Sequence, residues 1–193
     1  MTSTQASIIQ KIREQTVSPV RGSVLEIGAG NGENFPYLSK SLVLTALEPD
    51  AKRCRKLAER GRIQGIPTTI LQGKCEDIPM PDNSVDAVIS TFALCSVDDS
   101  ERAMSEIMRV LRPGCAVHFV EHIAAPQRTF IHALQRLLAP MSRRFNHGCD
   151  PLADTQRHFI TAGFSLEDLQ RREFSGIPMI SGRAVCPKQR PQS

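Results

Sequence analysis

The sequence predicts a single α/β domain built on an open, mostly parallel sheet. Short apolar runs recur along the chain, and each is followed by a polar stretch of helical period. The runs are continuously apolar rather than alternating, as in parallel strands covered on both faces. A length of 193 residues suits one filled core, and strand–helix alternation implies right-handed crossovers around one sheet.

The elements follow in order. Residues 1–22, opening "MTSTQASIIQKIREQ", make a short helical cover. "SVLEIGA" is the first strand and opens a ligand-binding core, 23–122. It runs into Gly28, Gly30 and Gly32 and then a plausible helix. "LVLTALE", "PTTILQG", "VDAVIST" and "CAVHFVE" are the next four strands. Between them, "DAKRCRKLAERGR" places Cys54, Leu57 and Ala58 together and ends at Gly61. "DDSERAMSEIMRVLRPG" starts at the cap-like Asp98 and Glu101 and repeats apolar residues at Ala103, Ile107 and Val110. It stops at Pro113-Gly114. Residues 123–150 contain "PQRTFIHALQRLLAPMSRRFNHG", an insertion placed to cover an acceptor. There Phe130, Ile131, Leu134, Leu137, Leu138 and Met141 share one helical face, and Arg128, Gln135 and Arg136 lie elsewhere. The expectation is a lid packed on the core, in preference to membrane contact through Arg136, Arg143 and Arg144. In 151–187, "SLEDLQRREF" and "IPMISGRAVCPK" read as two strands forming an antiparallel edge pair. The tail 188–193, "KQRPQS", is expected to be disordered.

Composition narrows the function. The net charge of +4 is mild and tryptophan is absent, so nothing supports nucleic-acid binding. No apolar run approaches the roughly 20 residues of a bilayer span. No secretory signal opens the chain, which points to the cytoplasm. Six cysteines stand singly with no C-x-x-C pair, against a disulfide framework or a structural zinc site. His147, Cys149 and Asp150 are poorly spaced for a metal, so no metal is assigned and they read as loop residues shaping the acceptor pocket. Oligomeric state is not legible. With so short an N-terminal cover, the cofactor side is expected to be mobile or completed by a neighbouring chain.

The glycine turn is the most informative stretch. In open α/β sheets a ligand sits beyond the carboxyl ends of the strands, beside the first. A dinucleotide fingerprint needs a third glycine where this chain has Glu33, and a carboxylate there opposes a pyrophosphate. The chain instead reads acidic-x-G-x-G-x-G, led by Glu26. That suits a cationic ligand without phosphate, such as S-adenosylmethionine. Glu26 can attract its amino-acid end, and Glu48, at the end of the second strand, can accept both ribose hydroxyls.

The pieces "LEIGAGNG", "ALEPD", "QGKCEDIPMPDNSVDAVIST" and "SEIMRVLRPGCAVHFVEH" resemble the class I S-adenosylmethionine-dependent methyltransferases, in their ubiquinone/menaquinone-type subgroup. The resemblance implies a Rossmann-like seven-stranded sheet of order 3-2-1-4-5-7-6, with strand 7 antiparallel. It places Gly28 and Gly30 under the cofactor, Glu48 on the ribose, and Pro49 or Asp50 beside the adenine. Lys74 stands where this family usually has an Asp, which leaves the Cys75 backbone N–H and Glu76 as adenine contacts. Thr91 and Phe92 would close over the methionine side.

On the acceptor side, "LCSV", "EHIAAP" and "FNHGCD" are similar to the alkyl-thiol S-methyltransferase branch. A thiol needs little more than a polar pocket, because it is partly ionised and strongly nucleophilic. A hydroxyl or carbon acid needs a base. His122, ending the fifth strand, is the best-placed group for proton transfer or for steadying an anion. Glu121 either orients it or points away, and Cys95 reads as packing. The reading is a methyltransferase acting on a small apolar acceptor, most plausibly a thiol. Its rivals are a quinone-precursor or phospholipid-headgroup methyltransferase and a non-catalytic cofactor-binding module.

Overall fold

The computed structural model describes residues 3–145, 149–174 and 176–188. Its elements are α1 (Ser3–Val17), β1 (Ser23–Ile27), β2 (Val43–Glu48), α2 (Ala51–Gln64), β3 (Thr68–Gln72), β4 (Val85–Thr91), α3 (Ser100–Val110), β5 (Leu111–His122), α4 (Phe130–Phe145), α5 (Thr155–Thr161), β6 (Ser165–Phe174) and β7 (Ile177–Val185). Single 3₁₀ turns lie at Phe35–Tyr37 and Leu94–Ser96.

The strands form one sheet ordered β3-β2-β1-β4-β5-β7-β6. The first five pair in parallel, and β7 runs antiparallel between β5 and β6. This is the expected seven-stranded Rossmann-like order, with its antiparallel edge.

Because successive strand residues face opposite sides, each central strand feeds two cores. Leu25, Ile27, Val88, Val117 and Phe119 pack on one face with Ala103, Met104, Ile107 and Val110 of α3 and Phe159 of α5. Val24, Leu44, Ala46, Ala87 and Ile89 pack on the other with Leu57 of α2, Phe35 and Val17. The continuous apolar runs of β1 and β4 are therefore explained by double coverage. A smaller cluster joins Ile12 of α1 to Val120 and Met179.

Several local expectations change. The glycine turn leads into a chain reversal and one 3₁₀ turn rather than a helix, since Pro36 stands at its start and β2 begins at Val43. Helix α2 runs through Gly61, whose missing side chain admits Thr68. It ends at Gly65, which takes the left-handed conformation at φ 66°. Its buried residues are Leu57 and Gly61, while Ala58 is exposed. Asp99 rather than Asp98 caps α3, accepting from the Arg102 N–H. That helix ends at Val110, and Pro113-Gly114 belongs to β5, where an irregularity in the pairing with β4 absorbs it.

The largest departure is α4. Its apolar stripe faces outward: Phe130 is 81% exposed, Leu137 76%, Met141 55% and Leu134 41%. The helix instead stands on Gln135 and Ala139, both buried. Gln135 accepts from the Ala125 N–H at 2.7 Å and donates to the Ile123 carbonyl at 3.2 Å. Two backbone partners for one amide outweigh the usual inward placement of leucines, so the packed apolar lid is not what forms. No helix among the described residues is long and apolar enough to cross a membrane.

Candidate active site

The carboxyl ends of β1, β2 and β4 open on a cleft of about 160 Å³. Its lining includes Gly28, Glu48, Pro49, Cys75, Glu76 and Phe92. Glu48 is buried and divides its carboxylate. Oε2 accepts from the Gly30 N–H at 2.9 Å and Oε1 from the Asp50 N–H at 3.0 Å. Each oxygen retains a lone pair for another donor. Asp50 itself caps α2 through the Lys52 and Arg53 N–H groups, so Pro49 is the one that lines the cleft.

At the far wall Lys74 pairs with Asp98 at 2.6 Å. Glu76 accepts from the Asp98 N–H at 2.7 Å and the Asp99 N–H at 3.3 Å. The carboxylate thus fastens the loop before α3, besides lining the cleft. Gly28 has φ +57°, and a side chain there would bring its Cβ to 2.6 Å from the Cβ of Ala93. Glycine is demanded by the approach of the turn after β4 as much as by any ligand.

Beneath the turn lies a buried polar network. Asn34 donates to Glu26 Oε1 at 2.8 Å and to Thr91 Oγ1 at 2.9 Å. Arg13, from α1, donates to Asn34 Oδ1 at 2.9 Å and Thr91 Oγ1 at 2.7 Å, and its guanidinium lies 5.2 Å from the centre of the Phe92 ring. Glu26 Oε2 is buried with no hydrogen-bond partner among the described residues. Burial pushes the Glu26 carboxyl up to about 7, against the pull of Asn34 and Arg13. A buried carboxylate with a spare oxygen is the complement of a ligand ammonium group.

The acceptor side is built at the ends of β4 and β5. Phe92 takes the left-handed conformation at φ 59°, unusual for a bulky residue. Glu121 is fully buried and holds the turn that follows. It accepts from Ser90 Oγ at 2.5 Å and from the Ala93, Leu94 and Cys95 N–H groups at 3.1, 3.2 and 3.3 Å. Burial raises its carboxyl while these donors pull it back. His122 points the other way, its ring 4.6 Å from that of Phe92. Its Nδ1 lies 3.9 Å from Cys149 Sγ, which lies 3.4 Å from Cys95 Sγ. The shared contact and burial drive the Cys95 thiol up. The same contact, helped by His122, holds the Cys149 thiol down. Cys95 and Cys149 were read from sequence as packing and loop; the structure brings them to His122. His147, considered beside Cys149, lies outside the described residues.

A methyltransferase domain model matches residues 25–119. Over 174 residues the chain is 30% identical to human thiol S-methyltransferase TMT1A, an alignment covering 88% of this chain and 71% of that protein. The chain is a class I S-adenosylmethionine-dependent methyltransferase. Human thiol S-methyltransferase TMT1B is 28% identical, with 96% of this chain and 79% of that protein covered. YcgJ from Bacillus subtilis shares the fold at TM-score 0.76 and 16% identity, across 95% of this chain and all of that one.

The cofactor of this methyltransferase is S-adenosylmethionine, which supplies a methyl group already activated on a sulfonium. The residues fit it. The spare oxygen of Glu26 suits its ammonium, and the lone pairs of Glu48 suit a ribose diol. Arg13 is one residue of this network that sequence reading missed. Nothing in "IIQKIREQ" separates it from Lys11 or Glu14, and only the packing of α1 on the strand ends brings it in.

Proposed function

We propose that the methyltransferase transfers the methyl group to the sulfur of small apolar thiols. In this reading Glu26 receives the cofactor ammonium and Arg13 its carboxylate. Glu48 takes the ribose hydroxyls, with Gly28 and Gly30 beneath them. Pro49, Cys75 and Glu76 border the adenine, and Thr91 and Phe92 border the methionine. His122 faces the acceptor.

The observation that carries the acceptor class is the state of Glu121. It is the buried carboxylate nearest the acceptor side, and it is spent on four donors, so it is not available to deprotonate a hydroxyl or a carbon acid. What faces the acceptor is an imidazole and two sulfurs. A thiol is the acceptor least dependent on a base, because its thiolate forms near neutral pH and is strongly nucleophilic. The relatives named thiol S-methyltransferases support the same choice. The main work left to the chain is alignment of sulfur with methyl carbon, worth several kcal/mol.

The test is S-adenosylhomocysteine release with alkyl and aryl thiols, phenols, a quinol and amines. Turnover confined to thiols is expected. Turnover with the quinol or an amine would move the reading to quinone-precursor or phospholipid-headgroup methylation. Cofactor binding without turnover would move it to a regulatory module.

A further inference from the structure

The trio Cys95, His122 and Cys149 offers three ligand atoms within 4.8 Å of one another. They come from three segments: the turn after β4, the end of β5 and the chain beyond α4. A tetrahedral zinc ion with bonds of about 2.3 Å to sulfur and 2.0 Å to nitrogen sets S···S near 3.8 Å and S···N near 3.5 Å. The observed 3.4 Å between the sulfurs and 3.9 Å from Cys149 Sγ to His122 Nδ1 each lie within about 0.4 Å of that geometry, and Cys95 Sγ and His122, within 4.8 Å of each other, close onto an ion by a further inward shift.

The backbone around the trio is fastened independently of the three side chains. The Asp150 N–H donates to the Cys95 carbonyl at 2.7 Å, and Ser142 Oγ donates to the Cys149 carbonyl at 2.9 Å. The Cys95 N–H is held by Glu121. The cysteines are buried and His122 is half-buried, and the trio adjoins the cofactor cleft through Phe92.

We propose that Cys95, His122 and Cys149 bind one zinc ion, whose fourth position takes the acceptor thiol. This inference rests on the thiol reading above. Two thiolates and one imidazole with a fourth position left for water or substrate is a ligand set of catalytic rather than structural zinc. It answers the question that Glu121 leaves open, namely how the thiol is ionised without a free carboxylate. On ligation the acceptor R–SH gives its proton to solvent and stays on the metal as thiolate, since a coordinating thiol is deprotonated outright. Its sulfur lone pair then forms the new bond to the methyl carbon. The bond from that carbon to the sulfonium breaks, and its electron pair remains on the departing S-adenosylhomocysteine. The product thioether is neutral and a poorer ligand, so it leaves, and the metal is not consumed.

The test uses the full chain, reduced and stripped of metal, then loaded with zinc or cobalt. Elemental analysis should give one zinc per chain. The cobalt form should show sulfur-to-metal charge transfer and the strong visible bands of a tetrahedral site. Cys95→Ser, Cys149→Ser and His122→Ala should each weaken cobalt binding by more than the ~10–100-fold that losing an outer partner of a ligand costs. Calorimetry with S-adenosylhomocysteine on the same variants shows that they are folded. An alkyl thiol should shift the cobalt bands, and the matching alcohol should not. Weak octahedral bands, undiminished binding by the variants, or a Cys95–Cys149 disulfide as the resting form in reducing buffer would each overturn the site. A cobalt spectrum indifferent to thiol would overturn the fourth-position role. Full thiol turnover by stripped protein would overturn the metal while leaving thiol methylation standing. Cobalt held by the three residues with no thiol turnover would do the reverse.

Discussion

The free methyltransferase should hold Glu26 protonated at mildly acid pH and release that proton when ligand binds. The carboxyl is 2% exposed, has among the described residues one donor on Oε1 and none on Oε2, and is raised from 4.5 to about 7. At about 1.4 kcal/mol per pH unit, that displacement costs the ionised free enzyme about 3 kcal/mol. The folded value lies above the unfolded one. The cost is therefore absent below pH 4.5, grows as pH rises towards 7, and is complete above it. A ligand ammonium beside Oε2 restores the carboxylate, so ligand binding at acid pH must first expel a proton.

With a value of about 7 for the free enzyme, calorimetry with S-adenosylhomocysteine in buffers of differing ionisation enthalpy should show release of about 0.9 proton at pH 6 and about 0.1 at pH 8. Apparent affinity should rise about tenfold from pH 6 to pH 8. Glu26→Gln removes the titration and the charge. Ligand binding should lose the pH dependence and weaken by about 1.5–3 kcal/mol, the worth of a charged hydrogen bond. The amide leaves its own N–H where Oε2 stood, which offsets part of the relief. A net gain of about 1–2 kcal/mol in the free protein at pH 8, or roughly 2–8 °C in melting temperature, is expected. Proton release that stays near zero at pH 6, or a variant that binds as tightly as the parent, would refute the argument.

Gly28→Ala should cost at least about 1 kcal/mol and most of the cofactor affinity, read by melting and calorimetry, because its Cβ meets Ala93 at a backbone already at positive φ. Glu121→Gln should destabilise the protein by about 1–3 kcal/mol at pH 7, read by urea unfolding. One amide oxygen cannot serve four donors, and the new N–H₂ faces backbone N–H groups. Leu137→Asp should leave stability within about 0.5 kcal/mol, whereas Gln135→Ala should cost about 1–3 kcal/mol by exposing the Ala125 and Ile123 backbone groups. The reverse order would restore the packed lid.

Strand identity and sheet order were legible because double burial writes itself as unbroken apolar runs, and β4 matches "VDAVIST" residue for residue. Glu48 was legible for a related reason: it ends an apolar strand where a carboxylate has no packing use. Arg13 and the cysteine pair were not, since their chemistry depends on side chains meeting from segments that spacing does not relate. Cys95 and Cys149 lie 54 residues apart. Helix α4 misled through a rule that is usually sound. Its apolar stripe marks an amphipathic helix correctly, but two hydrogen bonds at Gln135 settle which side faces the protein. Leu134 and Leu137 are then left in water.

Phe92 joins the two halves of the site and is the place where strain and function can be separated. Its backbone sits at φ 59°, which costs a bulky residue about 1–3 kcal/mol, and Glu121 pins the three residues that follow. The ring lines the cofactor cleft, lies 4.6 Å from His122 and sits beneath Arg13. Phe92→Ala keeps the unfavourable backbone and loses the ring. Phe92→Gly loses the ring but relaxes the backbone, so it should be the more stable variant by about 1–2 kcal/mol, or roughly 2–8 °C in melting temperature. If the ring is what aligns cofactor and acceptor, the two variants should be equally poor in thiol turnover despite that difference. Equal stability would mean that the backbone is not strained. Turnover that tracked stability would make Phe92 a scaffold residue rather than one that positions the reacting groups.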